Sequence, residues 1–212
     1  MSENQTPARF AAVDEVLNTI GYDGFVRSLF NRSGDVSKDF THAVLGIATE
    51  VCEIRAAKEP VNRLEEGGDL TFYGVALGQV IGDHLGMTLA QLADLDPADF
   101  LADDFLAEME AKHFGSTSEV VDLLINELLD ISKRWIGYGK APADPLHALN
   151  LGLWVISATV ADAGFFGAPD LLICANIGKL LERYKGMTFS AEHAVNRDLA
   201  AERSVLEHAA AA

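Results

Sequence analysis

Signals that start and stop helices recur along the whole chain, and no other feature of the sequence constrains its fold as much. Pro60, Pro97 and Pro145 each follow an acidic residue and suit the first turn of a helix. Ser116 and Glu119 have the spacing of a capping box. No β-branched run alternates with the period of a strand. The sequence therefore predicts an all-α fold, a bundle of about eight helices over residues 8–30, 40–58, 60–82, 96–115, 116–136, 145–164, 169–186 and 190–208.

The composition narrows the possible partners. The net charge of −16 disfavours binding to nucleic acid or to an anionic membrane. The longest uncharged run, 145–161, is short for a membrane span and contains His147 and Asn150, so it predicts a buried core helix. Cys52 and Cys174 lie in apolar helical stretches and are predicted to be buried free thiols, which suits a cytoplasmic location.

Two pairs of carboxylates are the strongest candidate site. Glu50 and Glu53 lie at positions i and i+3 of one predicted helix, and Glu66 and Asp69 repeat that spacing on the next. The short connection between the helices makes them antiparallel neighbours, so the four acids can converge. Protons or cations must then neutralise them, and Mg²⁺ suits such oxygen ligands. Two solvated acidic faces are the alternative that spacing alone leaves open.

Glycines accompany both acid pairs. Gly46 lies one turn before Glu50 and is predicted to leave open space above it. Gly67 and Gly68 stand inside the next predicted helix, where each costs on the order of 1 kcal/mol relative to alanine. Such a cost indicates close packing or the approach of a ligand.

In their order and context, these stretches resemble the MazG-like all-α nucleotide pyrophosphohydrolases. That family carries ExxE, a spacer and ExxD; here the spacer is the 12 residues 54–65. The resemblance covers 36–82 and 170–203, including the runs 175–184 and 196–198. Two departures, Thr49 in place of an additional acid and Gly67 in place of a bulky residue, leave the number of metal ions and the general base open.

The resemblance implies hydrolysis of a nucleoside triphosphate between its α and β phosphates, giving the monophosphate and pyrophosphate. Mg²⁺ is the expected cofactor, with Mn²⁺ as a substitute, and a homodimer or homotetramer is the expected assembly. Control of deoxynucleotide pools in a bacterial cell or a phage-infected host is the expected role, with a purine substrate such as dGTP or dATP as a first guess.

The resemblance and the residue types together predict a role for each side chain. The metal ligands are Glu50, Glu53, Glu66 and Asp69, and either Glu50 or Glu53 orients the attacking water. The predicted substrate-binding residues are Lys179, Arg183, Asn176, His42 and Lys58. For Lys179 and Arg183 the alternative is a solvated basic helix end, and for His42 it is a capping or packing role.

The chain is predicted to form a single domain, 1–212. The metal-binding helices occupy 36–82, a possible degenerate second copy occupies 83–169, and C-terminal helices occupy 170–208. Glu127 and Asp130 parallel Glu50 and Glu53 in this interpretation, whereas Asn150 falls where Glu66 would be. Lys133 and Arg134 would then add positive charge near the phosphates, while Trp135 and Trp154 are predicted to be core or interface aromatics.

Three other functions compete with this prediction. A dimeric-type dUTP or dCTP diphosphatase shares the helical carboxylate site. A ferritin-like di-iron protein needs two ExxH pairs, and only Glu110 with His113 offers one. A non-catalytic helical interaction module would show no metal-dependent turnover.

Overall fold

The computed structural model describes residues 8–95 and 116–211, which form helices joined by short connections and contain no strand. In chain order the helices are α1 (Ala8–Thr19), α2 (Gly21–Leu29), α3 (Val36–Ala56), α4 (Pro60–Leu85), α5 (Leu89–Ala93), α6 (Thr117–Tyr138), α7 (Pro145–Asp162), α8 (Pro169–Arg183), α9 (Ala191–Val195) and α10 (Leu199–Ala210). The all-α prediction is confirmed. The predicted helix 96–115 lies outside the described residues.

Local capping explains where several helices begin. Ser116 and Glu119 form the predicted capping box at the start of α6. The Asp144 carboxylate accepts hydrogen bonds from the backbone at the start of α7, as the Asp-Pro pair predicts. α3 starts at Val36, earlier than the predicted residue 40, because the Asp35 side chain accepts hydrogen bonds from the Ser37 and Lys38 backbones.

The division of the chain into helices differs from the prediction in three places. The predicted helix 8–30 divides into α1 and α2 at Gly21, whose φ of +67° is incompatible with a continuous helix. The predicted helix 190–208 divides into α9 and α10, and Asp198 caps α10. α5 was not predicted; it begins at a capping box formed by Thr88 and Gln91.

Four helices, α3, α4, α6 and α7, pack together around the main core. Phe40, Ile47, Leu77, Leu128 and Leu151 are fully or almost fully buried between them. Each such side chain contributes about 1.5–3 kcal/mol by leaving water. α8 packs on the other side of α4, and α1 and α10 pack on α8. The antiparallel α3–α4 pair predicted from the short connection is therefore the centre of the molecule.

Two further predictions have mixed outcomes. Trp135 is buried and its ring centroid lies 5.2 Å from that of Phe40, as predicted for a core aromatic, whereas Trp154 is exposed. The prediction that both cysteines are buried was wrong: both are free, but Cys52 is exposed on the solvent side of α3 and Cys174 is half-buried. Among the described helices, none has the length and apolar character needed to cross a membrane.

Candidate functional site

A cavity of about 450 Å³ opens between α3, α4 and the end of α8. Acidic side chains from α3 and α4 line one wall: Glu50, Glu53, Glu65, Glu66 and Asp69. Arg183 and Arg197 lie on the side formed by the C-terminal part of the chain. Aromatic side chains close the remaining wall: Phe30, His42, Phe72, Tyr73, Tyr184 and Phe189. The cavity thus combines acidic, basic and aromatic surfaces.

Three of the four predicted metal ligands converge. One carboxylate oxygen from each of Glu50, Glu53 and Glu66 lies within 4.8 Å of the other two. The i, i+3 spacing places Glu50 and Glu53 on one face of α3, and the antiparallel packing of α4 brings Glu66 opposite them. Glu50 is only 9% exposed, and its Oε2 atom is buried without a hydrogen-bond partner among the described residues. Glu53 is the exposed member.

The crowding of these acids changes their protonation. Burial, together with the charges of Asp69, Glu53 and Glu66, raises the pKa of the Glu50 carboxyl to about 9. Burial and the charge of Asp69 likewise raise the pKa of Glu66 to about 7. These raised pKa values mean that the three carboxyl groups do not all ionise together near neutral pH. A bound proton or a bound cation has to offset their negative charge.

Asp69 lies in the same cavity wall but is held differently. Its Oδ1 accepts a hydrogen bond of 2.8 Å from the Asn176 amide, and its Oδ2 forms an ion pair with the Lys179 ammonium. Lys179 is fully buried and also lies 3.4 Å from a Glu65 oxygen. The Tyr22 hydroxyl donates to the Asn176 side-chain oxygen at 2.9 Å. The metal-ligand role of Asp69 stays a prediction, because these partners already bind its oxygens.

The predicted substrate-binding residues occupy different places. Lys179 and Asn176 contact Asp69 and are not among the residues that line the cavity, whereas Arg183 and His42 line it. Lys58 is exposed at the α3–α4 connection and lies outside the lining. Lys133 and Arg134 form exposed ion pairs with Asp130 and do not line the cavity either. Glu110 and His113, the candidate di-iron pair, lie outside the described residues.

The glycines explain how the helices approach each other. The prediction of open space above Glu50 was wrong, because the Tyr73 ring fills the position that a Cβ on Gly46 would take. A Cβ on Gly68 would lie 3.1 Å from both the Leu172 carbonyl oxygen and the Asn176 Cβ. This close approach of α8 to α4 carries Asn176 and Lys179 to Asp69, so packing accounts for the glycine pair.

A buried carboxylate fixes the two arginines at the cavity. Glu202 on α10 is 2% exposed and accepts hydrogen bonds from Arg183 at 2.7 and 3.0 Å and from Arg197 at 2.6 Å. Burial by itself would raise the pKa of Glu202, but these hydrogen bonds and charges lower it to about 2. Arg197 also reaches Glu65 at 3.5 Å. Sequence reasoning missed both Glu202 and the role of Arg197, although the run 196–198 belongs to the resemblance.

Aromatic contacts organise the remaining wall of the cavity. The His42 ring stacks on Phe30 at a centroid distance of 4.6 Å, and Tyr73 meets His42 edge-on at 5.9 Å. Phe72 lies perpendicular to Tyr73 at 5.5 Å. Burial and the charge of Glu50 raise the pKa of the Tyr73 phenol to about 12, so this ring stays neutral. His42 thus has the packing role that was the alternative to substrate contact, while its ring also faces the cavity lining.

Fold and site together define an all-helical protein with a carboxylate cluster and two fixed arginines in one cavity. Comparison of the chain with protein-family models, with curated proteins and with solved structures found no match.

Proposed function

We propose that the protein is a Mg²⁺-dependent nucleoside triphosphate pyrophosphohydrolase, as the resemblance to the MazG-like family implies. The observation that carries the proposal is the cluster of Glu50, Glu53 and Glu66 oxygens within 4.8 Å, with a buried oxygen on Glu50 that has no partner among residues 8–95 and 116–211. Arg183 and Arg197 belong to the same cavity. A triphosphate bound there would have cation ligands on one side and guanidinium groups on the other.

The donor atoms fit Mg²⁺. All three converging groups are carboxylates, and hard divalent cations take oxygen ligands of this kind. A buried oxygen without a partner costs about 1–3 kcal/mol, which a cation ligated at Glu50 would offset. When bound, Mg²⁺ would polarise the phosphate oxygens and lower the pKa of a water molecule.

Side chains of the protein can accept the proton of the attacking water and bind the leaving pyrophosphate. Glu53 is the exposed acid of the cluster, so it can accept a proton from the attacking water; Glu50 is buried and holds its own proton more tightly. Arg183 and Arg197 each have N–H groups beyond those bound by Glu202, and these can bind the leaving pyrophosphate. Because Glu202 fixes both guanidinium groups, little rotamer entropy is lost on binding.

The aromatic wall supplies a surface for the nucleobase. The rings of Phe30, His42 and Tyr73 line the cavity and contact one another there. Stacking on such rings is worth about 1–3 kcal/mol per base. Purine deoxynucleotides such as dGTP and dATP are the first candidates, and dUTP or dCTP would indicate the diphosphatase of the related type.

A screen of all common NTPs and dNTPs tests the proposal. The purified protein is incubated with each nucleotide and Mg²⁺, Mn²⁺ or EDTA, and the mono- and diphosphate, phosphate and pyrophosphate are resolved by ion-exchange chromatography. We expect metal-dependent formation of a monophosphate and pyrophosphate from at least one nucleotide.

Two variants purified in parallel make the screen specific. E53Q removes the proposed proton acceptor and should lose turnover, whereas E207Q changes an exposed glutamate that pairs with Arg203 outside the cavity. Equal turnover in E53Q would assign the activity to a contaminant or to another site. Absence of turnover with every nucleotide would favour a non-catalytic module.

A further inference from the structure

A second cavity, of about 190 Å³, lies where α3 and α7 end and α6 begins. Its polar lining comes from Arg55, Arg63, Thr117, Ser118, Thr159 and Asp162. None of its lining residues belongs to the carboxylate cavity. It is smaller than the pockets of about 300 Å³ and more that hold drug-sized ligands, so its occupant has to be small.

Thr159 presents an unsatisfied hydroxyl at this cavity. The residue is 5% exposed, and within residues 8–95 and 116–211 its Oγ1 has no hydrogen-bond partner. Other helical threonines behave differently: the hydroxyls of Thr41 and Thr71 donate to the carbonyl oxygen four residues earlier. A buried hydroxyl without a partner costs about 1–3 kcal/mol, so a ligand that accepts its hydrogen bond would relieve this cost.

Two arginines add donors at the same place. The Nε of Arg63 is buried without a partner, and no described carboxylate lies within ion-pair distance of its guanidinium group. Arg55 is anchored at 2.6 Å to Asp122 and at 3.2 Å to the Ser118 carbonyl oxygen, which leaves further N–H groups on its guanidinium. The two guanidinium groups therefore bring positive charge and further N–H donors to the cavity.

The start of α6 completes the set. Ser116 satisfies the N–H of Glu119 through the capping box, whereas the N–H groups of Thr117 and Ser118 have no acceptor within the helix. Both residues line the cavity. Helix N-termini favour anions, through these free N–H groups and the helix dipole.

We propose that this cavity binds a small phosphate-type oxyanion, free phosphate or pyrophosphate, through Arg63, Arg55, the Thr159 hydroxyl and the first turn of α6. Arg63, the first turn of α6 and the Thr159 hydroxyl can all donate hydrogen bonds, and a tetrahedral oxyanion supplies acceptors in several directions. The Asp162 carboxylate also lines the cavity and opposes the charge of an anion, so binding there depends on directed hydrogen bonds from the surrounding donors. The proposal does not depend on the proposed catalytic function.

Titration of ¹⁵N-labelled full-length protein tests the proposal, with inorganic phosphate in one arm and pyrophosphate in the other at constant ionic strength. The amide resonances of Thr117 and Ser118 should shift and saturate, separately from any shift of the Arg197 amide in the carboxylate cavity. R63Q should raise the dissociation constant read from the Thr117 shift about tenfold or more. This is the loss of affinity expected when a hydrogen bond to a charged group is removed.

Two other variants keep the test decisive. T159V has nearly the same shape and should weaken binding several-fold even if R63Q folds poorly. R27Q removes an exposed arginine near the other end of α4, where Arg27 pairs with Asp83, and should bind like the wild type. Unmoved Thr117 and Ser118 amides with both probes, or equal saturation in T159V and wild type, would overturn the proposal and leave ordered water as the occupant of the cavity.

Discussion

The α3–α4 and α6–α7 hairpins pack side by side in the same core, yet their acids have different surroundings. In α3–α4, Glu50, Glu53 and Glu66 converge, and no described cation pairs with any of them. In α6–α7, Glu127 contacts His147 at 3.0 Å, and Asp130 pairs with Lys133 and Arg134. The spacing of the acids therefore does not distinguish the two hairpins. The difference is whether each acid has a hydrogen-bond or ion-pair partner close by.

The different partners of the acids agree with the predicted degenerate second copy, which they do not test. Each acid of α6–α7 that parallels an acid of α3–α4 has a local partner, so the second hairpin needs no added cation. The repeat itself stays a prediction, as does the homodimer or homotetramer.

The largest expected effect is on pyrophosphate release, which should depend on the acids of the α3–α4 hairpin and not on those of the α6–α7 hairpin. E53Q should reduce metal-dependent pyrophosphate release by about 10²–10⁴-fold, because it removes the proposed proton acceptor. D130N, at the parallel position of α6, should keep nearly full activity. Steady-state rates with the best nucleotide, and circular dichroism to check the fold, measure both; equal losses in the two variants would contradict the contrast.

Loss of the buried Lys179 should lower the free energy of unfolding more than loss of the exposed Lys133. K179M leaves Asp69 and Glu65 without their ammonium partner beside an already acidic cluster, and we expect a loss of about 3 kcal/mol in the free energy of unfolding. K133M removes an exposed i, i+3 pair and should change it by less than about 0.5 kcal/mol. Urea unfolding measures both, and a K179M protein as stable as K133M would refute the structural role.

The stabilisation of the protein by Mg²⁺ should depend on the acids of the α3–α4 hairpin and not on those of the α6–α7 hairpin. Mg²⁺ at about 100 times its dissociation constant would add about 2.7 kcal/mol to the stability, and EDTA would remove it. E66Q should abolish the Mg²⁺-dependent rise in melting temperature, whereas E127Q should retain it. A melting temperature that does not respond to Mg²⁺ in the wild type would count against the site.

The smallest expected effect is the pH dependence of the metal-free protein. Glu50 has a folded-state pKa of about 9, above its unfolded value of 4.5, so between these values the folded state binds a proton that the unfolded chain lacks. Stability therefore falls as pH rises through this window. Melting in EDTA at points between about pH 5.5 and about pH 8.5 should show a melting temperature that falls as the pH rises. The decline should be smaller in E50Q and persist in E127Q.

Much of the candidate site was accessible from local patterns. Glu50, Glu53 and Glu66 follow from helical spacing and a short connection, and the structure brings them together. Arg183 was found because it shares a helix face with Lys179. In contrast, Tyr22 gave no local signal, since its partner Asn176 lies far away in sequence. The pairing of Glu202 with Arg183 was missed because it joins two different helices. The Tyr73 ring beside Gly46 was missed for the same reason.

The sequence by itself determined that the chain is helical, where most helices begin, and which acids share a helix face. Backbone hydrogen bonds, caps and the helical repeat act over a few residues, and so they can be read locally. Only the tertiary structure decided which charges meet: Lys179 with Asp69, two arginines with Glu202, and the buried Glu50 Oε2 with no hydrogen-bond partner in the described part of the chain. Those outcomes depend on how α8 and α10 pack on α4, and burial then multiplies the effect of each charge.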